Sequence, residues 1–195
     1  MTTDAVQARL TVRYLDRVRV DVTTRPGVEA PLPIAALVRA IAAGLRAGHA
    51  PTPASVSLIL TDDVEIATLN EQHMGHEGPT DVLSFPMLPP SAYPPHPGQD
   101  PAVRATDAPQ FAMPPGARTH IGDIVVSVER AVEQAERGRG GQTGDRRWSP
   151  ADELRLLVTH GTLHLCGWDH ALPHEEAAMR ALEQRLLGSA TEPGP

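Results

Sequence analysis

The stretch HGTLHLCGWDH, residues 160 to 170, decides how this chain is read. It holds three of the nine histidines within eleven positions. His160 and His164 are four apart, so on a helix both rings fall on one face, about one turn apart. Leu154, Val158, Gly161 and Leu165 lie toward another side and can bury that helix. Gly167 is placed to end the helix and turn the chain. His170 then returns toward the same point from a third direction. Three imidazoles leave a fourth position open, which is the catalytic rather than the structural arrangement of zinc. Zn2+, one per chain, is the default ion, although imidazole also suits nickel, copper and iron.

The helix carrying this motif has a clear start. Ser149, Pro150 and Asp152 supply a capping hydroxyl, a first-turn proline and an acid at the positive end. Upstream, residues 10 to 22 are β-rich and form one strand or a hairpin. Residues 33 to 47 place Ile34, Leu37, Val38, Ile41 and Leu45 on one helical face. A strand over 55 to 63 runs into a helix over 64 to 72, capped by Asp62 or Asp63, with Val64, Ala67 and Leu69 facing inward. Residues 80 to 87 form a strand in which Pro86 favours a sheet edge. Residues 122 to 131 are a strand leading into a helix that ends near Glu136. A last helix covers about 174 to 187, with Met179 in its apolar face and Gly188 as its stop. The expected fold is α+β: a small mixed four-stranded sheet packed by about five helices, one of them a zincin-like metal helix.

The chain has 195 residues, so a single domain over 1–195 is expected. Residues 87 to 121 hold nine of the 20 prolines and read as a long surface loop inserted in that domain. The tail, 189–195, should fray. Net charge is -7, which excludes a fold-wide basic surface and leaves nucleic acid to a local patch. One such patch is residues 137 to 147. There Arg137, Arg139, Arg146 and Arg147 oppose only Asp145 and suit bidentate phosphate contacts. Cys166 is the only cysteine, so no intrachain disulfide forms. No signal pattern and no run of about 18 apolar residues is present, and the chain reads as cytoplasmic with no membrane partner.

The spacing H-x3-H-x2-G-x2-H is that of metzincin proteases. Those enzymes carry Glu directly after the first His as general base, whereas this chain has Gly161. A zincin-like peptidase or amidase is therefore the weaker reading. Asp169, next to His170, is the candidate for orienting a ligand ring or accepting a proton. Cys166 reads as a small apolar filler.

Together these residues resemble the YbeY family of bacterial endoribonucleases. HGTLHLCGWDH is similar to the family signature H-G-x-L-H-L-x-G-x-D-H. GPTDVLSFPM (78 to 87) and GDIVVSVERA (122 to 131) resemble two further family segments, and Leu69 with Asn70 matches the L-N before the first of them. The resemblance runs over roughly residues 8 to 187. It implies one zinc held by His160, His164 and His170 in a single-strand-specific, metal-dependent endoribonuclease. It also implies a role in 3′-end maturation of 16S ribosomal RNA and in late-stage 70S ribosome quality control. Ribosomal RNA, the small ribosomal subunit and ribosomal or assembly proteins are the implied partners. One departure stands out: the family often carries Arg four residues after that Asn, and here the position is Met74. A non-catalytic, zinc-containing ribosome assembly factor is the remaining alternative.

Overall fold

The structure is a computed structural model, and it describes residues 7–96, 114, 117–137 and 148–189. Among these residues five strands form one sheet: β1 (Arg9–Leu15), β2 (Val18–Thr24), β3 (Ala54–Thr61), β4 (Val82–Pro86) and β5 (Thr119–Ser127), in the order β1-β2-β3-β5-β4. Pairing is antiparallel for β1–β2 and β4–β5 and parallel for β2–β3 and β3–β5, so the sheet is mixed. The sequence suggested four strands. The fifth arises because residues 10 to 22 fold back on themselves at Asp16, which takes a left-handed φ of 54°. An aspartate tolerates that conformation better than most residues. Pro86 does sit on an edge strand, where its missing N–H breaks no ladder.

Among the described residues five helices accompany the sheet: α1 (Ile34–Ala47), α2 (Asp63–Met74), α3 (Val128–Arg137), α4 (Pro150–Leu165) and α5 (Pro173–Ser189). Alternation in β2 and β3 buries Val18, Val20, Val22, Val56, Leu58 and Leu60 on one face. Against that face pack Leu37, Val38, Ile41 and Leu45 of α1 and Leu154, Leu157, Val158 and Leu165 of α4. The opposite face is covered over its α2 side, where Ile66 meets Leu83 and Val125.

Two helices differ from expectation. In α2 the buried residues are Ile66 and Asn70; Leu69 packs against the same cluster as expected, but Val64 is 76% exposed. The helix lies across the sheet at a different rotation from the one its apolar residues suggested. In α5 the chain continues through Gly188 to Ser189. Gly188 does not adopt a positive φ, and a glycine weakens a helix without ending it unless the backbone reverses hand. Ser189 is still helical, and the rest of the tail expected to fray, residues 190–195, lies outside the described residues.

The start of the proline-rich segment is packed. Pro90–Ala92 makes a 3-10 turn, and Tyr93 is buried in the main core. Residues 119 to 121 belong to β5. The intervening 97–113 lie outside the described residues.

Candidate metal centre

α4 begins with a reciprocal cap. The Ser149 hydroxyl accepts from the Asp152 N–H, and the Asp152 carboxylate accepts from the Ser149 N–H. The helix ends at Leu165, and Gly167 takes φ +80°, which suits glycine. A Cβ at Gly167 would also lie 3.2 Å from Cα of Pro90, so the start of the proline-rich segment closes over this turn. His96 stacks on Trp168 with ring centroids 4.0 Å apart, bracing the same turn from outside.

The turn brings His170 back to His160 and His164. The three ligand atoms lie within 4.8 Å of one another, and the ring centroids are 4.5, 4.9 and 5.3 Å apart. His160 and His164 are half-buried and His170 is exposed, so the cluster opens on one side. The three residues singled out from spacing are thus brought together.

The donor set fits a metal ion. The Nε2 atoms of His160 and His164 face each other at 3.0 Å. Two nitrogens each ~2.0–2.1 Å from a tetrahedral ion sit a little over 3 Å apart, close to this separation. The Nδ1 of His160 is engaged by the Glu183 carboxylate at 2.7 Å, which leaves Nε2 as the free donor atom. Burial, together with the neighbouring imidazoles, lowers the His164 pKa to about 4, so this ring is neutral at pH 7. Neutral imidazole is the form that binds metal.

Glu183 was missed by the sequence reading. It lies 23 positions after His160 on a different helix, and only the packing of α5 on α4 joins them. It is 9% exposed, well inside the structure for a carboxylate. Asp169 instead accepts a hydrogen bond from the His170 N–H at 2.8 Å and lines the cleft beside the cluster. Arg137 pairs with Glu133 at 2.5 Å at the end of α3 and is not among the residues lining the cleft. Arg139, Arg146 and Arg147 lie outside the described residues. Cys166 is buried, and burial pushes its thiol pKa up to about 12, consistent with a filler.

The cleft in front of the histidines has a volume of about 650 Å3. Asn70, Met74 and His76 line one side, Val82 and Ser84 of β4 the next, and Trp168, Asp169 and Glu175 the far side. Asn70 donates to the Gly78 carbonyl (2.9 Å), which ties down the loop between α2 and β4. Gly161 faces β4. A Cβ there would meet Ile124 Cγ2 at 2.9 Å and Ser84 Oγ at 3.0 Å. The glycine after the first histidine therefore lets α4 lie against the sheet.

Fold and site define a class: an α+β protein with an open three-histidine cluster, able to hold a metal ion, on a helix and its return turn. The family model for endoribonuclease YbeY matches residues 32–191. The endoribonuclease YbeY of Roseiflexus castenholzii is 36% identical over 171 residues, 87% of this chain and 91% of that protein. Its namesake in Salinispora tropica is 44% identical over 137 residues, covering 70% of this chain and 74% of the other. A solution structure of a Thermotoga maritima protein is similar over 91% of this chain and 97% of its own, at 21% identity and a TM-score of 0.48. This chain belongs to the endoribonuclease YbeY family.

Proposed function

We propose that this protein is a single-strand-specific, zinc-dependent endoribonuclease acting in 3′-end maturation of 16S ribosomal RNA and in late-stage 70S ribosome quality control. The observation that carries the reading is the convergence of His160, His164 and His170 on one open point in a member of this family. Its partners are ribosomal RNA, the small ribosomal subunit and ribosomal or assembly proteins, and its compartment is the cytoplasm. No helix among the described residues is long and apolar enough to cross a membrane.

When bound, a zinc ion on the three histidines supplies a Lewis acid for phosphodiester cleavage. Glu183 holds His160 in the tautomer that presents Nε2. Asp169, held beside the cluster by the His170 N–H, is the proposed proton acceptor. Arg137, Arg139, Arg146 and Arg147 are proposed to contact backbone phosphates, where charge adds affinity without sequence preference.

The test is His160→Ala assayed on a small-subunit RNA precursor, with bound metal measured and cleavage ends mapped. Loss of both metal and cleavage supports the reading; cleavage surviving in a nuclease-free preparation overturns the site. Met74 in the cleft, where the family often has Arg, favours a second reading as a metal-containing assembly factor. That reading requires the wild type to associate with ribosomes yet cleave nothing.

A further inference from the structure

The outer edge of β4 forms part of the cleft wall, and the strand register determines which backbone groups it presents. Ser127 N–H donates to the Asp81 carbonyl and Met87 N–H to the Ile121 carbonyl, both at 2.9 Å. With Val82 opposite Val126 and Ser84 opposite Ile124, residues 81, 83, 85 and 87 direct their backbone groups at β5. Residues 82, 84 and 86 therefore direct theirs away from the sheet. The Val82 N–H is taken by the Asp81 carboxylate at 2.8 Å. Pro86 has no N–H. The remaining outward N–H is that of Ser84, flanked by the carbonyls of Val82, Ser84 and Pro86.

The Ser84 hydroxyl donates to the Gly161 carbonyl at 3.2 Å, so this edge is pinned to the metal helix one residue from His160. Val82, Ser84 and Pro86 line the same cleft as His160, His164 and His170. One donor between acceptors is a poor cradle for phosphate, because the carbonyls repel an anion. Asp81, Asp169 and Glu175 also line the cleft, and its described lining contains no arginine. The pattern suits a neutral group with a donor beside an acceptor. Every nucleobase carries such a pair on its Watson–Crick edge, and only unpaired bases expose it. Met74, 43% exposed in the cleft, offers a flexible apolar surface for the face of a base.

We infer that the β4 edge, through the Val82 carbonyl and the Ser84 N–H, hydrogen-bonds the Watson–Crick edge of one unpaired base beside the bond to be cut. The inference rests on the endoribonuclease reading and gives it a structural source for single-strand selectivity. A duplex is refused because its base edges already pair with each other. All four bases are accepted because each supplies the donor–acceptor pair.

The test uses the full-length protein and a series of single-stranded RNA oligonucleotides, each with one Watson–Crick-blocked base, 1-methyladenosine or 3-methyluridine. Oligonucleotides with 5-methyluridine, whose pairing edge is intact, are the controls. Affinity by fluorescence anisotropy is read alongside cleavage. The expected result is one position at which blocking lowers both by about tenfold or more while 5-methyluridine has no effect. Equal binding and cleavage across the series overturns the inference and leaves the nuclease reading standing. Position-dependent binding without cleavage of any oligonucleotide supports the base contact and removes the nuclease. No binding to the unmodified RNA overturns both. Replacing Ser84 by its α-hydroxy acid, which turns the N–H into an ester oxygen and keeps the side chain, should reproduce the loss. The blocked base should then cost nothing further.

Discussion

The Glu183 carboxylate reaches from α5 to Nδ1 of His160 at 2.7 Å, which couples α5 to the first histidine of the cluster. Removing such a partner typically costs 10–100-fold in metal affinity. Glu183→Ala should weaken zinc binding by about that factor in a competition with a chromogenic chelator. Glu183→Gln still offers an acceptor oxygen to Nδ1 and should recover most of it. Equal affinities in Glu183→Ala and wild type would show that the contact does not orient the ligand.

The metal-free protein should lose stability in acid through His164. Its folded pKa, lowered by burial first and by its two histidine neighbours second, is about 4, against 6.5 for the free group. The unfolded chain therefore binds a proton that the folded chain refuses. Stability is complete above about pH 6.5 and falls as pH drops toward 4, by on the order of 3 kcal/mol. Urea titrations of chelator-treated protein at pH 7.5 and 4.5 measure it, and His164→Gln should flatten the difference.

Gly161→Ala should destabilise the fold. Its Cβ would lie 2.9 Å from Ile124, 3.0 Å from Ser84 Oγ and 3.3 Å from Val82, where the strand and helix have little room to separate. Overpacking of this kind costs about 1–3 kcal/mol. A drop in the denaturation midpoint with an unchanged m-value is the expected signature. Gly161→Glu should lose more stability and gain no peptidase activity, as a casein digestion would show.

Cys166 should resist alkylation in the native state. Its thiol is buried and its pKa is pushed up to about 12, so almost no thiolate exists at pH 8. Iodoacetamide should label the unfolded protein rapidly and the folded protein at the rate of global opening. Rapid labelling of the native protein would contradict the packing of Cys166 against Gly48.

Much of this architecture was legible along the chain because its signals are local. The H-x3-H spacing, the Ser149–Asp152 cap and the turn at Gly167 each depend on neighbours within a few residues, and each holds in the fold. The α1 face followed from periodicity alone. In α2 periodicity placed Leu69 correctly but not Val64, which faces solvent, while Ile66 and Asn70 face in. There Ile66 and Leu69 pack against Leu83 and Val125 of the sheet and Asn70 is bonded to the Gly78 carbonyl, a face that leaves Val64 outside.

The sequence by itself determined the three clustered histidines, the helix that carries two of them and the family, because these are written in short spacings and in residue chemistry. Only the tertiary structure decided that Glu183 serves His160 and that Gly161 makes room for β4. It also decided that Ser84 presents its N–H to the cleft. Those relationships join residues 23 to 77 positions apart. They depend on strand register and helix packing, which the whole chain sets at once and no local pattern records.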